Sequence, residues 1–145
     1  MNLTEFLDST GFRSHGTVTN SWDAFRPDGT VLMQLWTAPG QRLKDGHDIA
    51  GAYLRVRCFD AAHHAVNEVR QAVGYAGRLR AIHAVEAGVT AYAALSSPPS
   101  DKRGPGLWAK HADLGRVYRV LGIERPEGCD IFAILGGPIS VASMK

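Results

Sequence analysis

Apolar positions recur along this chain with two periods, and each run marks an element. Near the start, Leu3, Phe6 and Leu7 fall on one helical stripe. Asn2 is placed to cap it, Glu5 stands three residues on as in a capping box, and Gly11 offers the left-handed residue that ends a helix. A helix this short is not stable alone and must dock through its stripe. A hairpin follows, with strands over 21–25 and 30–37 joined by Arg26-Pro27-Asp28-Gly29. Pro27 pre-sets a turn φ and Gly29 takes a positive φ without steric cost. In the second of these strands Val31, Met33 and Leu35 face one way, and Leu32, Gln34 and Trp36 the other. Both faces are largely apolar, which predicts a central strand.

Residues 38–51 hold three glycines, a proline and four charges, and read as a long loop. Over 53–59, Leu54, Val56 and Cys58 alternate with Tyr53, Arg55, Arg57 and Phe59, so one face is apolar and the other cationic with aromatic ends. Two helices are expected next. Ala62, Val66, Val69 and Val73 keep helical spacing up to Gly74, and Leu79, Ile82 and Val85 form a second stripe ending at Gly88. Arg78 and Arg80 stand near the start of that second helix, where the dipole disfavours cations, a slightly costly placement that raises the question of what they contact. Strands are predicted over 90–96, 116–123 and 129–135. A Gly136-Gly137-Pro138 bend then precedes a short run over 139–141. The pattern predicts an α+β single domain over 1–145: a mostly antiparallel sheet or partly open barrel of about six strands, with an N-terminal helix and a central helix pair.

Composition narrows the class. A chain of 145 residues is long enough for a core without staples. No apolar run approaches the roughly 20 residues of a membrane span, and the MNLTEFLDSTGF start is acidic where a secretory signal is basic. A cytoplasmic protein with no membrane partner is therefore expected. Two cysteines, Cys58 and Cys129, are too few for a disulfide scaffold, and the net charge of +2 is only a weak basic bias.

The usual catalytic signatures are missing. His63 and His64 are adjacent on a predicted helix and point about 100° apart, away from a common metal face. There is no HExxH, paired CxxC, GxSxG or GK[ST] pattern, and no Glu-x-Lys follows Asp23, Asp28 or Asp60 as a metal-dependent nuclease would want. Cys58 lies on the apolar face of its strand and reads as a buried, inert thiol. Asp28 reads as a turn residue and Asp23 as the polar side of its strand. No metal and no cofactor are expected.

Aromatic and basic residues interleave instead. Trp22, Phe25, Trp36, Tyr53 and Phe59 cluster in the first three strands with Arg26, Arg55 and Arg57. A second group, Lys102, Arg103 and Lys110, surrounds Trp108, and the span 98–125 holds six Lys or Arg against three Asp or Glu. Flat aromatics stack on bases and arginines neutralise phosphates, the pairing that suits single-stranded or extruded nucleotides.

One stretch carries a resemblance. Asn20-Ser21-Trp22, then Pro27-Asp28-Gly29-Thr30-Val31-Leu32, closing at Leu35-Trp36, resembles the opening of small bacterial domains of uncharacterised type. Those domains occur alone or beside restriction-type HNH nuclease modules. Arg78-Leu79-Arg80-Ala81-Ile82-His83, ending at Ala87-Gly88, is similar to a second signature of that group. The likeness covers about half of the chain, and no HNH-type cluster accompanies it here. It implies an accessory role in DNA recognition, with Asn20, Trp22 and Trp36 as pocket residues.

The leading expectation is a non-enzymatic nucleic-acid-binding domain that recognises a modified or extruded base. Asn20, Trp22, Trp36, Arg55 and Arg57 would form its pocket, and Lys102, Arg103, Trp108 and Lys110 would supply further contacts. One alternative is a small-molecule-binding or hydrolytic enzyme with a cleft under the 38–51 loop, where His47, Asp48 and Asp23 are the acid–base candidates. The other is an interaction module whose exposed aromatics dock a partner protein.

Overall fold

A computed structural model describes residues 3–14, 23–36, 49–59, 72–96, 112–125 and 131–144. Helix α1 (Leu3–Thr10) is followed by strands β1 (Arg13–Ser14), β2 (Asp23–Phe25), β3 (Val31–Trp36) and β4 (Leu54–Phe59). Helix α2 (Ala72–Glu86) comes next, then β5 (Ala91–Ser96), β6 (Ala112–Glu124), β7 (Ile131–Ser140) and a closing 3₁₀ turn, Val141–Met144. All the strands join one sheet in the order β1-β2-β3-β5-β6-β7-β4. Only β3 and β5 run parallel; every other pair is antiparallel. The fold is thus α+β and mostly antiparallel, as the pattern predicts, and the sheet does not close into a barrel.

Each face of the sheet carries its own core. On one face, Val31, Met33 and Leu35 of β3 pack with Val56 and Cys58 of β4, with Ala133 and Leu135 of β7, and with Ala81 and Ile82 of α2. On the other, Leu32, Ala94, Leu114 and Val117 meet Phe6 and Leu7 of α1, Phe12 after it, and Val141 of the closing turn. β3 therefore contributes to both cores through alternate side chains, which is why it reads as apolar on both sides. The hairpin turn forms as expected: Gly29 has φ 95°, Thr30 N donates to Asp28 Oδ1 at 2.9 Å, and Gly29 N donates to the Arg26 carbonyl.

Two expectations are corrected. In place of a break between paired helices, α2 runs unbroken through Gly74 and Gly77. Neither glycine takes the positive φ of a helix end, whereas Gly88 does, at 94°. Packing of Ala81 and Ile82 outweighs the roughly 1 kcal/mol that each interior glycine costs relative to alanine. The 62–71 part of the first predicted helix lies outside the described residues. Likewise β7 does not end at Gly136-Gly137-Pro138 but continues through it as one strand. The expected bend is a bulge in its pairing with β6: Pro138 lies opposite Tyr118 and Leu135 opposite Val120, which leaves Gly136 and Gly137 facing a single residue. The ladder of β7 with β4 ends at Leu135, so on that side Pro138 has no described neighbour strand, a setting in which a residue without an N–H is tolerated.

Candidate nucleic-acid interface

Four strand spacings separate β3 from β4 in the sheet order, about 19 Å if the sheet were flat. Yet a single guanidinium reaches both. Arg78 Nη2 donates to the Gln34 carbonyl of β3 at 2.8 Å, and Nη1 donates to the Cys58 carbonyl of β4. The sheet must therefore curl around α2 until β4 lies alongside β3, although no ladder bonds join them among the described residues. Asp23 completes this seam. Its Oδ2 accepts from Arg78 Nε at 2.7 Å, and its Oδ1 accepts from the Gln34 backbone N–H at 3.3 Å. Among the described residues β2 pairs with β3 as far as Met33, and at the next residue the ion pair supplies the partners of the Gln34 backbone N–H and carbonyl.

This revises the reading of Asp23 as simply the polar side of its strand. Its side chain is fully enclosed and that of Arg78 nearly so. Burial pushes the Asp23 carboxyl upward, while Arg78 and the Gln34 N–H pull it back. With both oxygens committed, Asp23 has no acid–base work open to it in this arrangement. Its companions in that alternative, His47 and Asp48, lie outside the described residues.

Cys58 meets its expectation: it is buried, and burial pushes its thiol up to about 12. At pH 8 that leaves about one thiolate in ten thousand, against roughly a quarter for an ordinary thiol. Iodoacetamide should therefore leave Cys58 unlabelled in the native protein over times that fully label it in urea, as read by peptide mass. Equal rates in the two states would contradict its enclosure.

The site residues fall into three groups. Asn20, Trp22, Lys102, Arg103, Trp108 and Lys110 lie outside the described residues. Trp36 ends β3 opposite Ser96, and Ser96 in turn pairs with Ala112. The chain leaves β3 and β5, and enters β6, at the same end of the sheet. Arg55 and Arg57 lie on the β4 face opposite Val56 and Cys58, the face turned away from α2. There the Arg55 guanidinium stands 3.7 Å from the centroid of the Phe132 ring, and its Nε donates to Glu124 Oε1 at 2.7 Å. Arg57 is the register partner of Phe132 on the same edge strand. Phe132 and Glu124 escape sequence reading because only the β4–β7–β6 register brings them to Arg55.

Other cations are committed to structure. Arg26 Nε donates to the Thr10 carbonyl at 2.8 Å, Arg80 lies over the Phe25 ring, and Arg116 pairs with Asp113. Arg125 grips Glu86 through two bonds and holds that carboxyl below its usual range. Part of the local basic excess in 98–125 is thus neutralised. Among the described residues the exposed large hydrophobics are Val89 and Leu121 alone, short of a broad apolar docking face. No described helix is long and apolar enough to cross a membrane. Comparison with known proteins finds no family model, no curated protein and no solved structure that matches this chain.

Proposed function

We propose that this protein is a non-enzymatic, cytoplasmic nucleic-acid-binding domain that engages a single-stranded or extruded nucleotide. The observation that carries the reading is the Arg55–Phe132 stack beside Arg57 on the outer face of an edge strand. The Arg55 side chain is 36% exposed, so its stacked guanidinium remains open to solvent although Glu124 holds one edge. A flat cation on a ring is a surface for a base or a phosphate, and its charge is attracted to either. Trp22, Trp36 and Asn20 complete the pocket in this reading, and Lys102, Arg103, Trp108 and Lys110 supply backbone contacts. The resemblance to domains found beside HNH nuclease modules implies the same accessory role in DNA recognition.

Fluorescence anisotropy with a single strand of about 12 nucleotides, and with its duplex, tests this across salt concentrations. The expected affinity for the single strand is micromolar. Its logarithm should fall with log salt at about 0.7 per phosphate contacted. Arg57→Ala should weaken binding a few-fold and flatten that slope. Affinity unmoved by salt, or no binding near 100 μM (roughly the weak end of non-specific association), would overturn the proposal.

A further inference from the structure

We infer that Gln34 is the residue that reads the bound base, and that it takes an adenine-like edge. This rests on the nucleic-acid reading above. Its side chain is only 6% exposed, and its amide Nε2 has no hydrogen-bond partner among the described residues. A buried, unsatisfied NH₂ costs folding free energy and calls for a partner. Meanwhile the backbone of the same residue is held on both sides, its N–H by Asp23 and its carbonyl by Arg78. A buried ion pair thus fixes the strand at the residue that, among the described residues, carries a buried and unused side-chain donor, as a preorganised reader requires.

Position selects the ligand. Gln34 lies on the Leu32 face of β3, opposite Ala94 and two residues before Trp36, the residue proposed to stack on the base. A side chain this enclosed is out of reach of a phosphate on the surface or the edge of an intact duplex. In this inference its partner is a group inserted from outside, which is what an extruded base is. A carboxamide offers a donor beside an acceptor. Adenine answers with a ring nitrogen acceptor beside its exocyclic amine, the bidentate match that glutamine makes.

The test uses strands of about 12 nucleotides that are abasic except for one central A, C, G or T, so the phosphate contribution stays constant. Wild-type protein should prefer the adenine strand over the cytosine strand by about tenfold or more. Gln34→Met should lose that preference, keep the salt slope, and melt no lower than wild type, since it removes an unsatisfied donor. Gln34→Leu serves as a second variant should the methionine fail to fold. Salt-dependent binding without base preference, or a preference that survives in either variant, would overturn the inference and leave the nucleic-acid reading standing. Failure of every strand to bind would overturn that reading and this inference with it.

Discussion

Arg78→Ala is expected to cost about 3–5 kcal/mol of stability, the range for breaking a buried ion pair by removing one partner. That is a large share of the 5–15 kcal/mol that holds a typical domain together. The loss has two sources. Asp23 remains as an enclosed carboxylate without its counter-ion, and the Gln34 and Cys58 carbonyls lose their donor. Arg78→Lys should recover little, because a compact ammonium does not reproduce the planar fork that serves three acceptors on three strands. Urea unfolding at pH 7 measures the deficit, and a value under about 1 kcal/mol would show that the seam holds without this side chain.

The pH dependence has a definite sign. In Arg78→Ala the Asp23 carboxyl stays buried and keeps only the Gln34 N–H, so its folded value, already raised by burial in the wild type, rises further above the unfolded one of about 3.9. A raised carboxyl binds more protons in the folded state, and stability falls as pH climbs through the window between the two values. The deficit against wild type should therefore narrow as pH drops toward 4. A deficit that stays constant or widens on acidification would mean that Asp23 finds another partner in the variant.

How far the sequence foretells this arrangement depends on the range of the interaction. Period-2 alternation over 30–37 and 53–59 is a local signal, and the strands Val31–Trp36 and Leu54–Phe59 form where it lies. The hairpin turn is equally local, since Asp28 and Gly29 act within two residues of themselves. The helix break misleads because Gly74 and Gly77 state a propensity that packing by Ala81 and Ile82, farther along, overrides. The seam is beyond local reading: Asp23 and Arg78 are 55 residues apart, and only the awkward placement of a cation early in a predicted helix hinted that Arg78 had a partner. Gln34 carried a fainter signal, as the one polar residue in Val31–Trp36. It lies on the Leu32 face of β3, whose core forms only when α1 returns over the sheet.

That return makes Phe6→Ala the other large effect, about 3–5 kcal/mol for a phenylalanine lost from a core. α1 has eight residues, too few to persist in water, so its helical state depends on docking. Phe6 is fully buried against a cluster that includes Leu7, Phe12, Leu32 and Val117. The segment after it is tied down as well. Phe12 N donates to the Leu7 carbonyl, Arg26 Nε takes the Thr10 carbonyl, and the Arg26 guanidinium lies 4.6 Å from the Phe12 ring centroid. These ties hold α1 near the sheet but bury little themselves, so they should not rescue a cavity beneath it. Phe6→Leu, which keeps most of the volume, should cost markedly less. Hydrogen exchange distinguishes the two ways of failing. If α1 alone lets go, protection is lost over 5–12 while β3 and β5 stay protected, and Leu32 and Ala94 become exposed to an apolar dye. If the sheet needs its cover, protection falls across both strands together and the urea midpoint drops by the full amount. The second outcome is the expected one, because β3 supplies alternate side chains to both cores and cannot lose one without loosening the other.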